Sequence, residues 1–590
     1  MSGPQSAASI ANAVSSGVQS AENFARMALD RAEKYDAVQP QIWISRVARV
    51  DVLAAAREVD RRVAAGETLA LAGVPFAVKD NLDVAGMETT AGSPCAGYIP
   101  QRSATVVDLL RASGAVLIGK TNLDQFATGL VGTRSPHGAC SCVFNKDYIS
   151  GGSSSGSAVA VAAGIVPLAL GTDTAGSGRV PAALNGLIGM KPTKGRWSTS
   201  GLLPACRSLD CVSVFAHTLD DARLVDTALA QFDAGDPYSR RIPPFTPPAS
   251  FRIGIPREKD LKFIGDKESA RLFRAEVKHA SSMGETVEID ISSLLDCAQL
   301  LYSGPWVAER TAALKGLLET NPLAIHPTVR EIVRSGQSIS AVDAFEGQYA
   351  LKEFERLAQA MWAEIDVLLL PTTPTSYTIA QLRSDPVALN SKMGLYTNFV
   401  NLLDMSALAI PAGFRANGTG FGVTLVGPAW ADEFLLDLAA NFQETQTVIG
   451  KPKLDLTPHE ADVQLAVVGA HLHGMPLHFQ LEDRHARFVR KAKTIPAYRL
   501  YAMETQPPKP ALIYVGDADG AELELEIYEM DFASFGSFVA EVPAPLAIGT
   551  VILENGCEVK GFVAEPRAME GSKDVTEFGG WRRYIASSQG

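Results

Sequence analysis

Two spacings of apolar residues alternate along the chain. Residues 20–65 are rich in Ala, Leu, Glu and Arg at helical spacing, which predicts helices, whereas residues 73–78 form a short apolar run that ends in Lys79 and predicts a strand. A second helix-like stretch begins near Ala104 and leads into the strand-like run AVLIGK. Because helices and strands alternate, the pattern predicts an α/β fold in which helices cover a β-sheet core. Two further core strands are predicted at residues 367–371 and 406–413.

The pattern breaks near residue 450, where the polar stretch KPKLDLTPHEAD separates two apolar regions. A chain of 590 residues is longer than one hydrophobic core usually organises, so more than one domain is expected. We predict a domain over residues 1–450, a linker over 451–462 and a second domain over 463–590. Segments such as AELELEIYEM and GTVILENGCEVKGFV predict strands, so the second domain is expected to be a smaller α+β or barrel-like domain.

The net charge of −12 works against binding to nucleic acid or to an anionic membrane, since both need a basic face. The most apolar stretch, residues 158–170, contains Gly164 and Pro167 and is too short to span a bilayer. The first residues contain no basic segment followed by an apolar core, which predicts a cytoplasmic location. The sequence has no P-loop and no convincing G-x-G-x-x-G motif, so we expect a small-molecule substrate and neither cofactor nor metal.

Two loops rich in glycine and hydroxyl residues carry the candidate chemistry. The first, at residues 151–164, begins GGSSSGSA and leads into an Ala-rich helix, whose positive dipole end favours an anion. The second, GTDTAGSGRVPAA at residues 171–183, places Ser177 between two glycines, so its backbone allows a close approach by a substrate. Read alone, the first loop is also compatible with a flexible connector, and the second with an ordinary tight turn. The amides that would form a nest around an oxyanion are those of Thr174, Ala175, Gly176 and Ser177.

Lys79 ends the apolar run in VPFAVKDN, where poor solvation favours loss of its proton. To be neutral at pH 7, its pKa has to fall from about 10.4 by roughly 3 units, which corresponds to about 4 kcal/mol imposed by burial. The same position is also compatible with a snorkelling lysine, or with a buried ion pair to Asp80 or Asp173. Lys79 is therefore a candidate base whose protonation state the residues alone leave open.

In this order, VPFAVKDN, GGSSSGSA and GTDTAGSGRVPAA resemble the three landmarks of the amidase signature family. The resemblance covers roughly residues 1–450 and extends to the spacing, since Ser153 lies 74 positions after Lys79 and Ser177 lies 24 positions after Ser153. It implies a mixed β-sheet core covered by helices. It also implies a Ser-Ser-Lys triad, with Ser177 as nucleophile, Ser153 as the bridging hydroxyl and Lys79 as base, and a cis peptide bond before Ser153.

The C-terminal region resembles that of allophanate hydrolases, in segments such as VVGAHLHGMPL and GGWRRYIA. The resemblance implies that allophanate is hydrolysed to ammonia and N-carboxycarbamate, which breaks down to carbon dioxide and more ammonia. Because a guanidinium binds both oxygens of a carboxylate, arginine suits this anionic amide best. The resemblance places Arg310 on the carboxylate, with Tyr302 as a hydrogen-bonding partner and Gly129 as a backbone contact. Without the family, Arg310 reads as a surface or ion-paired helix residue, since Glu309 and other acids are available.

The histidines of the C-terminal region are candidates for assisting the breakdown of the first product. His471 follows a predicted strand and is the preferred candidate, although three other histidines lie close to it in sequence and a structural role stays open. The resemblance further implies a homodimer, a functional link to a urea carboxylase, and a place in the breakdown of urea or of s-triazines. The neighbouring histidines are His473, His478 and His485.

Two other interpretations stay open. A general amidase of the same family would use the C-terminal domain as a dimerisation or scaffold module. An α/β-hydrolase would use Ser154, the central serine of a G-x-S-x-G motif, and would need a later Asp and His. The residues before that motif, SCVFNKDYIS, make a poor strand, and the α/β-hydrolase interpretation leaves Lys79 and Ser177 without a role. We therefore prefer the amidase interpretation.

Overall fold

The computed structural model describes residues 5–446, 450–457, 462–484, 486–516 and 519–588. The chain divides into two compact units, Met1–Pro458 and His459–Gly590. Among the helices of these described residues, none is long and apolar enough to cross a bilayer.

Eleven strands of the first unit form one mixed sheet, in the order β1-β3-β2-β6-β8-β7-β12-β13-β11-β9-β10. Most of these strands are buried on both faces because helices cover the sheet. The two remaining strands of the unit, β4 and β5, pair with each other. The strands are β1 (Trp43–Arg46), β2 (Pro75–Lys79), β3 (Val116–Thr121), β4 (Ser141–Cys142), β5 (Asn145–Ile149), β6 (Leu168–Asp173), β7 (Ile188–Lys191), β8 (Cys211–Ala216), β9 (Arg252–Pro256), β10 (Glu285–Ile289), β11 (Val367–Pro371), β12 (Ser406–Phe414) and β13 (Gly420–Gly427).

The helices of the first unit pack against this sheet and around one end of it. They are α1 (Ala7–Ser15), α2 (Ala21–Tyr35), α3 (Arg49–Ala64), α4 (Thr105–Ala112), α5 (Ser155–Ala162), α6 (Val180–Leu184), α7 (Leu219–Leu229), α8 (Lys267–Met283), α9 (Ser292–Ser303), α10 (Trp306–Thr320), α11 (Pro327–Ser335), α12 (Ala341–Glu364), α13 (Ile379–Ser384), α14 (Ala388–Met393), α15 (Asn398–Leu402) and α16 (Asp432–Thr445).

Strands β2, β3 and β6 are neighbours and run parallel, so their carboxyl ends meet at one edge of the sheet. Open α/β sheets bind ligands at such an edge. The strand β2 delivers Lys79 to this edge, and β6 delivers Thr172 and Asp173. Polar side chains from separate parts of the sequence therefore lie together at this edge of the sheet.

The helix α5 consists of small residues and is buried along its whole length. Its sequence, SGSAVAVA, allows close packing: a Cβ at Gly156 would lie only 2.4 Å from the carbonyl oxygen of Ile42. The loop of residues 151–154 ends at this helix, which places Ser153 directly before its first turn. Small side chains thus bring the loop into the interior of the unit.

The second unit is smaller and rich in β-structure. A sheet of five strands runs in the order β15-β18-β14-β20-β19, and β17, β16 and β21 form a second sheet. Its elements are β14 (Asp462–Val467), α17 (Phe479–Glu482), β15 (Arg487–Lys493), β16 (Tyr498–Met503), β17 (Lys509–Tyr514), β18 (Glu524–Asp531), α18 (Phe532–Ala540), β19 (Leu546–Ile552), β20 (Glu558–Ala564), β21 (Lys573–Asp574) and α19 (Trp581–Ser588).

The predicted fold class is confirmed: a mixed β-sheet covered by helices is followed by a smaller unit of strands and short helices. Strand predictions at residues 367–371 and 406–413 coincide with β11 and with most of β12. The segment SCVFNKDYIS, expected to be a poor strand, forms the short hairpin β4–β5 outside the main sheet. Its few ladder bonds form locally, without the apolar alternation that a core strand requires.

Candidate active site

Three side chains form a hydrogen-bonded chain at the carboxyl edge of the sheet. Lys79 Nζ lies 2.7 Å from Ser153 Oγ, and Ser153 Oγ lies 2.9 Å from Ser177 Oγ. A second hydroxyl, Thr172 Oγ1, also lies 2.7 Å from Lys79 Nζ. All four side chains are buried. A proton on Ser177 is therefore connected to the amine of Lys79 through one intervening hydroxyl.

Burial lowers the pKa of Lys79 to about 7, although the charges of Asp124, Asp210 and Asp173 oppose this shift. The charged form of the amine loses its solvation in the interior, and the two neutral hydroxyls replace that solvation only in part. The neutral form of Lys79 is therefore accessible near pH 7. A neutral amine beside a hydroxyl is able to act as a general base.

The two carboxylates that sequence position suggested as ion-pair partners of Lys79 have cations of their own. Asp80 Oδ1 lies 3.0 Å from Lys120 Nζ, and both of these groups are fully buried. Asp173 forms a bidentate ion pair with Arg179, with hydrogen bonds of 2.9 and 3.0 Å. Burial acts to raise the pKa of Asp173, but Arg179, together with Lys191 and the N–H of Gly178, lowers it overall. Lys79 is thus neither a snorkelling side chain nor the partner of an adjacent carboxylate.

The loop that carries Ser153 contains a cis peptide bond between Gly152 and Ser153. Glycine is required at position 152 because a Cβ there would lie 2.2 Å from Asp124 Oδ2. The next residue, Ser154, donates its hydroxyl hydrogen to the carbonyl oxygen of Thr172 at 3.1 Å, so it ties the loop to β6. Ser154 thus has a backbone-binding role, and the geometry supports no nucleophilic role for it.

The segment around Ser177 is held by the Asp173 carboxylate, which accepts hydrogen bonds from the N–H groups of Gly176 (2.7 Å) and Gly178 (3.0 Å). This contact removes one of the four amides predicted for the oxyanion hole, since the Gly176 amide already donates to Asp173. The amides of Thr174, Ala175 and Ser177 donate to no other group within the described ranges. The carbonyl of Ala175 accepts from Thr397 Oγ1 at 2.6 Å, which fixes the orientation of the peptide planes.

The predicted substrate residues lie on α9, α10 and the loop after β3. Arg310 is 2% exposed, and its Nη1 donates to Thr128 Oγ1 at 3.2 Å. Its Nε has no hydrogen-bond partner in the part of the chain that the structure describes. The guanidinium carbon lies 5.7 Å from the centre of the Tyr302 ring, and the carbonyl of Gly129 lies 3.5 Å from Ser177 Oγ. The segment of Thr128 and Gly129 therefore connects Arg310 to the nucleophile.

Comparison with known families decides the classification. Residues 26–436 match the family described as Amidase, and residues 463–586 match the Allophanate hydrolase C-terminal domain. The chain belongs to the amidase family. As a member of this family it is an amidohydrolase, and the hydrogen-bonded chain of Lys79, Ser153 and Ser177 is consistent with its Ser-Ser-Lys triad.

Similar proteins include both short and long chains. The solved structure of Kluyveromyces lactis allophanate hydrolase is 41% identical, with a TM-score of 0.71 over 99% of both chains. The urea amidolyase of Saccharomyces cerevisiae is 45% identical over 92% of this chain but only 31% of its own length. The native peptide amidase of Stenotrophomonas maltophilia is 26% identical, with a TM-score of 0.65 over 76% of this chain and 99% of that protein. This chain therefore spans about a third of the curated urea amidolyases that it matches.

His471 of the second unit borders a cavity of about 280 Å³. Its ring lies 4.9 Å from that of Phe562, nearly parallel to it, and its Nε2 lies 2.8 Å from Gln480 Oε1. Burial lowers the pKa of His471, which favours the neutral imidazole. Of its neighbours, His478 Nδ1 contacts the carbonyl of His471, whereas His485 lies outside the described residues.

Sequence reasoning missed several residues of this amidase site. Thr172 contacts Lys79, and its signal was available, because it lies within the GTDTAGS motif at the end of a strand. Thr128 and Asp124 gave no comparable signal, since their roles depend on a loop that approaches Ser177 only in the folded chain. Thr397 is separated from Ala175 by 222 positions, so no local pattern indicates their contact.

Proposed function

We propose that this amidase hydrolyses the primary amide of allophanate and releases ammonia and N-carboxycarbamate. The observation that carries this proposal is the joint presence of the Lys79–Ser153–Ser177 chain and the buried Arg310 guanidinium. Among the described residues, Arg310 forms no ion pair with a carboxylate. An amide that carries its own carboxylate would supply the missing negative charge. Likeness to allophanate hydrolase and urea amidolyases supports this substrate.

The hydrogen-bond geometry supports a mechanism with two proton relays. Neutral Lys79 takes the proton of Ser153 while Ser153 takes that of Ser177, and Ser177 Oγ forms a bond to the amide carbon. The carbonyl oxygen becomes an oxyanion near the free amides of the 174–177 segment. Protonated Lys79 then returns a proton through Ser153 to the leaving nitrogen, the C–N bond breaks and ammonia departs. Water repeats the same relay on the acyl-enzyme and restores Ser177.

Arg310 supports a preference for an anionic amide over a neutral one. The guanidinium stays charged at every pH that the protein tolerates, and burial strengthens its attraction for an anion. Its Nε has no hydrogen-bond partner among the described residues, and its guanidinium lies over the face of the Tyr302 ring. A carboxylate bound at Arg310 would direct the amide of the substrate toward Ser177 past Thr128 and Gly129.

The proposal is tested by comparing ammonia release from allophanate, biuret, malonamate and a plain amide. Ser177→Ala is expected to abolish hydrolysis of every amide while the thermal unfolding temperature stays within a few degrees. Arg310→Leu is expected to raise KM for allophanate about a hundredfold and to change KM for the plain amide little. The exposed Arg334, changed to Leu, serves as the matched control. Equal effects of Arg310→Leu on both substrates would favour the alternative interpretation, a general amidase.

We also propose that the cavity beside His471 receives the carboxylated product. Lys509 and Gln480 line it together with His471, so a cation and a hydrogen-bonding amide face the same space. His471→Asn is expected to leave the first ammonia release unchanged and to slow the appearance of carbon dioxide. His473→Asn is the control, because His473 does not border this cavity. Unchanged carbon dioxide release in His471→Asn would favour the scaffold interpretation of the second unit.

We further propose a cytoplasmic homodimer that acts together with a urea carboxylase. Exposed apolar side chains on one face of α12 support self-association: Val342, Phe345 and Tyr349 follow the i, i+3, i+7 spacing and are each more than 60% exposed. The likeness to urea amidolyases, which extend well beyond this chain, supports the link to urea breakdown. Sedimentation velocity of the wild type and of Phe345→Glu tests the dimer, and a monomeric wild type would contradict it.

A further inference from the structure

Asp124 is a fully buried carboxylate to which the proposed relay assigns no step. Its Oδ2 accepts hydrogen bonds from the N–H groups of Val131 and Gly132, at 3.1 and 3.0 Å. Its Oδ1 accepts from the N–H of Arg134 at 2.9 Å. Three backbone donors therefore satisfy this carboxylate, and it forms no ion pair within the described parts of the chain.

These bonds close residues 124–134 into a loop that we call the strap. The strap contacts three residues of the proposed site. The N–H of Asp124 donates to the carbonyl of Ser153 at 3.0 Å, and the carbonyl of Gly129 lies 3.5 Å from Ser177 Oγ. Between them, Thr128 Oγ1 accepts from Arg310 at 3.2 Å. A displacement of the strap would thus move the bridging serine, the nucleophile and the carboxylate-binding arginine relative to one another.

Both ends of the strap are held firmly. The Asp124 carboxylate packs against two glycines, because a Cβ at Gly129 would lie 2.4 Å from Oδ2 and a Cβ at Gly152 would lie 2.2 Å from it. At the other end, the buried Arg134 guanidinium donates to the carbonyl of Thr128 at 3.0 Å and also to the carbonyl of Pro386. The strap is therefore anchored by its own side chains, the Asp124 carboxylate at one end and the Arg134 guanidinium at the other.

We propose that Asp124 is a positioning residue that holds the strap against Ser153, Ser177 and Arg310, and that its negative charge shifts the pH range over which Lys79 is active. The first part concerns geometry and the second concerns charge, so the two parts are separable by experiment. The role of the strap at Arg310 rests on the proposed function, whereas the effect on Lys79 does not.

The charge part depends on what faces Lys79. The charges of three carboxylates on different elements act on Lys79: Asp124 after β3, Asp173 at the end of β6 and Asp210 before β8. Asp124 is tied to the amine through one residue, since its N–H donates to the carbonyl of Ser153 at 3.0 Å and the hydroxyl of Ser153 lies 2.7 Å from Lys79 Nζ. Asp173 is paired with Arg179, whereas Asp210 accepts hydrogen bonds from Thr174 and from backbone amides. Each raises the pKa of Lys79, and Asp124 is the strongest of the three, although burial outweighs them all. Removing the charge of Asp124 should therefore lower the pKa of Lys79 further.

Asp124 itself is faced by a small set of groups. Arg134 and Lys79 are the cations whose charge it affects, and the Cys140 thiol is a neutral neighbour. The hydrogen bonds to the Asp124 carboxylate come from the backbone N–H groups of Val131, Gly132 and Arg134. Asparagine at position 124 would keep one acceptor oxygen and the side-chain volume while it removes the charge, which makes Asp124→Asn the informative substitution.

For Asp124→Asn, we expect the acid limb of the kcat/KM profile to move to lower pH by about half a unit or more. We also expect kcat at the pH optimum to fall about tenfold, because one strap bond is lost. Asp236→Asn is the matched control: Asp236 is another buried carboxylate that accepts backbone N–H bonds, from Thr199 and Tyr238, and it has no contact with the strap. Its acid limb should coincide with that of the wild type.

Arg134→Met tests the geometric part with the Asp124 charge in place. We expect kcat/KM for allophanate to fall at least tenfold, while the acid limb stays at the wild-type pH. An acid limb in Asp124→Asn at the wild-type position would overturn the charge part, and wild-type kcat/KM in Arg134→Met would overturn the strap. Circular dichroism and thermal unfolding verify that each variant is folded, and Arg134→Lys replaces Arg134→Met if the latter is not.

The pH effect is independent of the substrate assignment. The acid limb is measurable with any amide that the wild type hydrolyses, because it reports the protonation of Lys79 and not the identity of the acyl group. A wild type that releases no ammonia from allophanate would refute the proposed function and leave the test of Asp124 intact.

Discussion

Two buried lysines on neighbouring strands have opposite surroundings. Lys79 ends β2 and Lys120 lies near the end of β3, and both side chains are fully buried. Lys120 Nζ contacts Asp80 at 3.0 Å and two further oxygens, whereas Lys79 Nζ contacts the hydroxyls of Ser153 and Thr172. Burial lowers the pKa of both amines and nearby carboxylates oppose it in both cases, but among the described residues only Lys120 has a carboxylate, that of Asp80, in direct contact with its amine. Burial alone therefore does not make a base, since the partner decides whether the amine stays a cation.

The same comparison explains why Lys79 is able to lose its proton although several carboxylates lie in this part of the fold. Asp80 directly follows Lys79 and Asp173 directly follows Thr172 in sequence, yet each carboxylate is neutralised by a dedicated cation, Lys120 or Arg179. The charge of these pairs is compensated within the interior, so the field at Lys79 is weaker than the number of carboxylates suggests. A base near neutrality is thus compatible with an acidic chain.

The largest expected effect is the contrast between Lys79→Met and Lys120→Met. Lys79→Met should lower kcat about a thousandfold or more and leave the free energy of unfolding unchanged or higher, because a poorly solvated amine is removed. Lys120→Met should lower the free energy of unfolding by about 3–5 kcal/mol, because Asp80 is left buried without its cation. Ammonia release and urea denaturation measure the two effects. Equal stability losses in both variants would contradict the claim that, of the two lysines, only Lys120 compensates a buried carboxylate.

A double variant sharpens the second half of this contrast. Adding Asp80→Asn to Lys120→Met removes the uncompensated charge, so a large part of the lost stability should return. The recovery is read from urea denaturation midpoints, at equal m-values. A double variant as unstable as Lys120→Met would show that the Lys120 side chain contributes by packing and not by its charge.

The second expected effect is on pH dependence. Because the pKa of Lys79 is lowered to about 7, the neutral base is lost as pH falls through 7, and kcat/KM should fall about fivefold between pH 7 and pH 6. Between pH 7 and the ordinary lysine pKa of 10.5, the unfolded chain holds a proton at Lys79 that the folded chain does not, so this group makes stability rise with pH. Lys79→Met should abolish that contribution. An acid limb well above pH 8 would contradict the neutral amine.

The smallest expected effect concerns Thr172, whose hydroxyl lies 2.7 Å from Lys79 Nζ and orients the amine toward Ser153. Thr172→Val removes one hydrogen bond of about 1 kcal/mol, so kcat should fall roughly fivefold. Thr172→Ser keeps the hydroxyl and serves as the control, with kcat close to that of the wild type. Wild-type kcat in Thr172→Val would contradict the orienting role of the hydroxyl.

Much of the fold was predictable because it depends on local patterns. Apolar runs placed β2, β3, β11 and β12, and the Ala-rich stretch after the GGSSSGSA loop indicated the helix α5. The order of strands in the sheet was not predictable in this way. It pairs β7 with β12, for example, across more than two hundred residues, and only the packing of the whole sheet selects that neighbour.

For the site, the sequence by itself determined which chemical groups are present: Lys79 at a strand end, and Ser153 and Ser177 in glycine-rich loops whose motifs identify the family. Only the tertiary structure decided the partner of each group. Whether Asp80 or a hydroxyl lies beside a given amine depends on side-chain direction and on contacts between distant segments, such as the 74 positions that separate Lys79 from Ser153. Protonation follows from those contacts, because solvation and neighbouring charge set a pKa and neither is encoded in local order.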